Sequence, residues 1–145
     1  MTGEDLLKET CIRVRVIYAD TDAMGIVYHA NYLKWFEMGR TELMRSMGIV
    51  NSDLEADESY LPLSESFCHY LNPARYDDLL TIETEVAYIR RASIRFNYAV
   101  RDESGEMKMA EGYTLHAFTD GEGRIRRIPE DIVKKINKGE GEFQW

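Results

Sequence analysis

Cysteine is scarce in this chain: two residues, Cys11 and Cys68, among 145. They form neither a disulfide framework nor the paired spacing of a zinc site. A reducing cytoplasm is their simplest home. Long apolar runs are missing as well. None approaches the roughly 20 residues a membrane span needs, and the polar stretch Met1–Thr10 has no apolar core for an export signal. Positive charge is in deficit, 18 Lys and Arg against 26 Asp and Glu, a net −8. That argues against nucleic acid as the main partner. There is no Gly-x-Ser-x-Gly elbow, no phosphate-cradling glycine loop and no pair of metal-binding histidines. No cofactor and no metal are therefore expected. Hydrophobic content is 44%, and 145 residues suffice for one domain with a real core but not for two.

What is present is one long helical period set among strands. Ile12-Arg13-Val14-Arg15-Val16 continues to Tyr18 with apolar residues at even positions, the pattern of a half-buried strand. From about Asn31 to Met47, the residues Tyr32, Trp35, Phe36, Leu43 and Met47 recur at three-to-four spacing and predict a core-facing helix ended by Gly48. Gly39 lies within that stripe, where glycine costs about 1 kcal/mol relative to alanine, so a close approach of another backbone is expected there. The polar, acidic segment Asn51–Ser59 reads as a loop. Leu61–Leu71 is a strand stopped by Asn72-Pro73, and Tyr76-Asp77-Asp78 is a turn. Leu80–Tyr88, Ile94–Arg101 and Met107–Thr119 are further strands, with Gly112 read as a bulge. Pro129-Glu130-Asp131 opens a short helix with Lys134, Lys135 and Lys138 near its end. Residues 1–10 and 139–145 read as loose arms. The sum is an α+β domain, a curved antiparallel sheet covering one helix. The other face of the sheet also needs cover, most economically from a second copy of the chain.

The chemistry concentrates ahead of the helix. Asp20 and Asp22 by themselves read as an acidic turn, but their neighbours point further. Gly25 lets a ligand approach the backbone. Residues His29 to Asn31 place free N–H groups and a positive helix end beside the acids, and Trp35 and Phe36 can keep water from the floor. A carboxylate beside oriented donors suits acyl transfer. Near a helix N-terminus its ionised form is favoured, so it is a weak base at neutral pH. The leaving group must then depart without a proton. A thiolate, of parent pKa about 8.5, does so far more readily than an amide nitrogen. Thioesters fit. Elsewhere, Cys68 and His69 alternate across a strand and cannot pair as nucleophile and base, and His116 reads as structural.

The run Tyr18-Ala19-Asp20-Thr21-Asp22-Ala23-Met24-Gly25-Ile26-Val27-Tyr28-His29-Ala30-Asn31-Tyr32, followed by Trp35-Phe36-Glu37, resembles the hotdog-fold acyl-CoA thioesterases. The likeness is to the 4-hydroxybenzoyl-CoA thioesterase-like branch, and within it to the subgroup associated with the Tol-Pal system. Asn72–Leu80 and Arg90-Arg91-Ala92-Ser93 extend it, so that it covers about Ile12 to Pro129. The resemblance implies a sheet wrapped around the long helix, and a homodimer or homotetramer with sites at subunit interfaces. It also implies Asp22 as nucleophile or general base, the His29 N–H as the donor to the thioester carbonyl, and Tyr18 and the His29 imidazole near the acid. Arg90, Arg91, Ser93, Arg124 and Arg126 fall where the family contacts coenzyme A phosphates. Gly25, Tyr28 and Trp35 would shape the acyl pocket. The thioester is presented by coenzyme A or by an acyl carrier protein. Two other readings stay open: an acyl-thioester hydratase or dehydratase with a His as acid–base group, and a non-catalytic acyl-CoA or carrier-protein binding module.

Overall fold

The computed structural model describes residues 9–137. Five strands, β1 (Glu9–Arg15), β2 (Leu63–Tyr70), β3 (Leu79–Ile89), β4 (Ser93–Arg101) and β5 (Lys108–Ala117), form one sheet in the order β1-β3-β4-β5-β2, with every pairing antiparallel. Helix α1 (Asn31–Ser46) lies on its inner face. Alternation sets which side chains reach that face: Leu80, Ile82, Thr84 and Val86 from β3, and Ile94, Phe96, Tyr98 and Val100 from β4, are all buried. The apolar stripe of α1 meets them, with Phe36 stacked on Tyr98 at 4.2 Å between ring centroids. Trp35, Phe36 and Leu43 are completely enclosed, and burial of each stabilises by about 1.5–3 kcal/mol.

Gly39 is required by this packing. A Cβ there would sit 2.3 Å from Thr84 Oγ1. The close neighbour is thus a side chain of β3, where the sequence suggested a backbone. Thr84 Oγ1 is itself buried without a hydrogen-bond partner. Gly112 is no bulge: it pairs in register with Tyr98 on one side and Cys68 on the other. A Cβ there would meet Phe67 O at 2.0 Å and Phe36 Cε2 at 3.0 Å, so close approach excludes a side chain.

Three other expectations need correction. β1 ends at Arg15, short of Tyr18, because Asp20 Oδ2 accepts the Ile17 N–H at 3.0 Å and winds Tyr18–Asp20 into a single 3-10 turn. It also begins at Glu9, inside the stretch read as a loose arm; the remainder of that arm, and residues 139–145, lie outside the described residues. The segment expected to be a loop opens with a short helix, α2 (Asn51–Ala56). Its one large apolar residue, Leu54, is buried beside Met44, Ile49 and Phe118, which anchors a turn too polar to show a periodicity. Helix α3 (Glu130–Asn137) closes the same cluster with Ile136; Lys138 lies outside the described residues. Strand β2 is an edge strand, and Leu63, Phe67 and Tyr70 on it are exposed. No described helix is long and apolar enough to cross a membrane.

Candidate active site

Between the 3-10 turn and α1 the chain doubles back. Asp22 N–H donates to Ile26 O at 2.8 Å, Gly25 N–H to Asp22 O at 2.9 Å and Tyr28 N–H to Asp20 O at 2.8 Å, while Thr21 bridges Val27. Gly25 has φ +80°, which an L side chain adopts only with strain, so this tight turn needs glycine. The turn is fastened to the chain before β3 through Val27 N–H to Ala74 O, and Ile26 bridges Arg75.

The two aspartates of this hairpin have different surroundings. Asp20 is buried, holds the Ile17 N–H, and lies 3.3 Å from Lys34 Nζ. Its carbonyl also takes the Asn31 side chain at 2.8 Å. Asp20 is a knot that ties the loop to the helix. Asp22 is half-buried, and its side chain takes two N–H groups, Met24 at 2.8 Å and Ile26 at 3.4 Å, both on Oδ1. Oδ2 has no protein partner and no cation pairs with this carboxylate among the described residues. One oxygen is anchored and the other is open to a reactant.

The helix entrance supplies the donors. Asn31, Tyr32 and Leu33 N–H groups turn back to Tyr28, His29 and Ala30 carbonyls, whereas the His29 and Ala30 N–H groups meet no backbone acceptor among the described residues. Ala30 is the N-cap and offers no side-chain cap, so these donors stay available to an incoming carbonyl oxygen. The His29 ring is exposed and lies 4.4 Å from the Tyr28 ring. Tyr70, reaching over from β2, donates its hydroxyl to His29 O at 3.0 Å and packs its ring on Tyr32 at 5.3 Å. Burial first, and then Cys68, push its phenol up to about 12, so it stays a donor at neutral pH. Nothing in the sequence linked Tyr70 to His29, 41 positions away.

The remaining expected residues are placed as follows. Tyr18 is 79% exposed and leans edge-on against Tyr76 at 5.9 Å, with no bond to Asp22. Tyr28 is exposed beside the hairpin; Trp35 is sealed in the core against Tyr32. Arg90 and Arg91 lie in the β3–β4 connection and Ser93 opens β4; Arg90 N–H donates to Ser93 O at 2.8 Å and the Arg90 guanidinium covers the Tyr88 ring at 4.2 Å. Ile128 N–H donates to Arg91 O and Arg126 N–H to Phe118 O, which draws the second basic segment to the same end of the sheet. There Arg124 pairs with Glu122, and Arg126 donates to Ser59 Oγ at 2.9 Å and Asp57 O at 3.2 Å, holding the end of α2.

These two groups of residues lie at opposite ends of β3. Leu79 pairs with Arg15 just before the Asp22 hairpin, and Ile89 immediately precedes Arg90. The strand between those ends is ten residue steps long, at most about 33 Å when fully extended. No group of three or more His, Cys, Asp or Glu that could hold a metal occurs among the described residues.

Residues 16–136 match the thioesterase-like superfamily. The chain belongs to that superfamily. This thioesterase-like chain is 39% identical over 126 residues to the acyl-CoA thioester hydrolase YbgC of Escherichia coli O157:H7, covering 86% of this chain and 93% of the relative. It is 32% identical over 124 residues to a putative esterase of Aquifex aeolicus (strain VF5), covering 86% and 94%. A solved structure of a hypothetical protein from Thermus thermophilus superposes with a TM-score of 0.83 at 31% identity, over 88% of this chain and 97% of that one. A 4-hydroxybenzoyl-CoA thioesterase superposes with a TM-score of 0.81 at 21% identity, over 89% and 99%, and bears on the fold alone. The thioesterase-like chain has the hotdog fold, a curved antiparallel sheet around one central helix.

Proposed function

We propose that the chain is an acyl-CoA thioesterase that converts an acyl-CoA and water into a free carboxylic acid and coenzyme A. The observation that carries this reading is the Asp22 carboxylate, fixed through Oδ1 with Oδ2 open, in a hairpin that leads directly to the unpartnered His29 and Ala30 N–H groups. The thioester carbonyl oxygen accepts from the helix entrance, which stabilises the negative charge it gains in the transition state. Asp22 Oδ2 then acts in one of two ways. It attacks the carbonyl carbon, breaking the C–S bond to give a mixed anhydride and thiolate that water resolves, or it takes a proton from water as the water attacks. Both end with the same products. The names of the relatives at 32–39% identity support an ester or thioester hydrolase.

The placement of the Asp22 hairpin and the arginine hairpin at opposite ends of β3 supports a homo-oligomeric enzyme. In that arrangement Arg90 and Arg91 of one copy serve the coenzyme A whose acyl group sits at Asp22 of another. Cys11 and Cys68 are both free thiols, which suits a reducing cytoplasm. The test is hydrolysis of an acyl-CoA panel by the wild type and Asp22→Asn. Loss of a catalytic carboxylate lowers kcat by about a hundredfold to ten-thousandfold. Equal rates for the two proteins would remove the role of Asp22. Tight acyl-CoA binding without turnover by the wild type would favour a binding module.

A further inference from the structure

One flank of α1 is not explained by the chemistry above. Leu33, Glu37, Arg40, Thr41 and Met44 share a side of the helix by three-to-four spacing. Beside them is a cavity of about 230 Å³ lined by Glu37, Arg40, Thr41, Asn51, Phe96 and His116, among others. The Arg40 side chain is only 16% exposed. Its nearest carboxylate, Glu37, lies 3.7 Å away and is 72% exposed in solvent. That distance is beyond hydrogen-bond length, and an exposed partner compensates a buried charge weakly.

No other described residue of the wall carries an anionic side chain. Arg40 Nη1 donates to Tyr98 Oη at 3.5 Å, Tyr98 Oη is 2.6 Å from Thr114 Oγ1, Thr114 Oγ1 is 2.9 Å from His116 Nε2, and His116 Nδ1 is 3.1 Å from Leu61 O. The two ends fix the direction of this chain. A guanidinium can only donate and a carbonyl can only accept. The Tyr98 hydroxyl therefore donates to Thr114, Thr114 to Nε2, and the Nδ1–H to Leu61. Burial keeps His116 neutral at pH 7, as this order requires. The chain holds Arg40 in place and offers it a dipole, but no counter-charge. A largely enclosed guanidinium, paired only with an exposed carboxylate at 3.7 Å, gains from an anion that joins it.

We infer that the Arg40 cavity binds a carboxylate, and that the thioesters it selects carry a second carboxylate at the far end of the acyl group. A guanidinium fork matches a carboxylate in paired hydrogen bonds. Arg40 lies nine residues beyond the start of α1, about 14 Å along the axis, which is the reach of a medium-length acyl chain held at the helix entrance. Glu37, at the solvent rim, yields its place to the incoming group. This inference rests on the thioesterase reading.

The test compares sebacyl-CoA with decanoyl-CoA, equal in length and differing in the terminal carboxylate, on the wild type, Arg40→Met and Glu37→Gln. The wild type should prefer sebacyl-CoA in kcat/KM by about tenfold to a hundredfold, the range of a charge-assisted hydrogen bond. Arg40→Met should bring the ratio near one, and Glu37→Gln, a change at an exposed position, should raise it. No preference in the wild type, or a preference that survives in Arg40→Met, overturns the inference. If Arg40→Met does not fold, the Glu37→Gln ratio decides alone: an unchanged or lower ratio overturns it. If the wild type hydrolyses neither compound, the thioesterase reading fails, and calorimetric binding of the same two compounds then decides on the cavity. Competition by free sebacate against decanoyl-CoA, lost in Arg40→Met, identifies a free dicarboxylate as a ligand of the same site.

Discussion

Gly39→Ala sets two effects of opposite sign against each other. Alanine inside a helix is favoured over glycine by about 0.8–1.0 kcal/mol. The new Cβ, however, would lie 2.3 Å from Thr84 Oγ1, 3.4 Å from Ile82 Cγ2 and 3.5 Å from Thr84 Cβ. The last two distances are ordinary contacts; the first is well inside contact range. Thr84 is β-branched and stiff at χ1, and turning it away brings its methyl toward the same place. Overpacking of this kind costs about 1–3 kcal/mol and commonly more than the helix gains. We expect Gly39→Ala to destabilise by about 1–2 kcal/mol. In a Thr84→Ala background the obstructing oxygen is gone, and the same substitution should stabilise by up to about 1 kcal/mol. Thr84→Ala alone should be mild, since it also removes a buried hydroxyl that has no partner. The assay is urea unfolding of the four chains at one protomer concentration, comparing midpoints at constant slope. A change of sign between backgrounds is the expected coupling. The same effect in both would refute the reasoning and place the constraint elsewhere.

Two other predictions concern the site and the polar chain beneath it. Tyr70→Phe keeps the ring on Tyr32 but removes the hydroxyl that holds His29 O at 3.0 Å. It should lower kcat by about threefold to tenfold with KM little changed; an unchanged kcat would show that the helix entrance needs no such tether. His116 has its pKa lowered to about 4 from an ordinary 6.5, mainly by burial and then by Arg40. As pH falls, the unfolded chain binds this proton first, so the contribution is intact above about 6.5 and is lost progressively toward 4. The loss is roughly 3 kcal/mol. Urea midpoints measured across that window should fall more steeply for the wild type than for His116→Gln, and matching slopes would contradict the assignment.

Strong periodicity made α1 and the strands legible. Tyr32, Trp35, Phe36 and Leu43 on one side, and the even positions of β3 and β4, state which face is buried before any contact is known. Weak or ambiguous signals failed for physical reasons. α2 has a single large apolar side chain, Leu54, and one residue sets no period. A glycine inside a strand signals either a bulge or a close approach, and at Gly112 the unbroken register and the neighbouring Phe67 carbonyl distinguish them. The roles of Asp20 and Asp22 separated through their partners, since Lys34 and the Ile17 N–H claim Asp20 while Asp22 keeps an open oxygen. Tyr70 and Arg40 were hidden because their importance depends on contacts 41 and 58 positions away. Register, likewise invisible in composition, is what puts the arginine hairpin at the far end of β3 from the hairpin that holds Asp22.

Strand β2 carries a consequence for the life of the protein before it reaches a substrate. Among the described residues it pairs with β5 on one side only, and Leu63, Phe67 and Tyr70 are exposed on it. An uncovered edge with apolar side chains is a template for any extended chain that passes, including an unfinished copy of itself. Newly made protomers are therefore the aggregation-prone species, and their hazard grows with expression level. A partner that covered β2 would therefore act as a quality-control step, because a chain that failed to reach it would remain sticky.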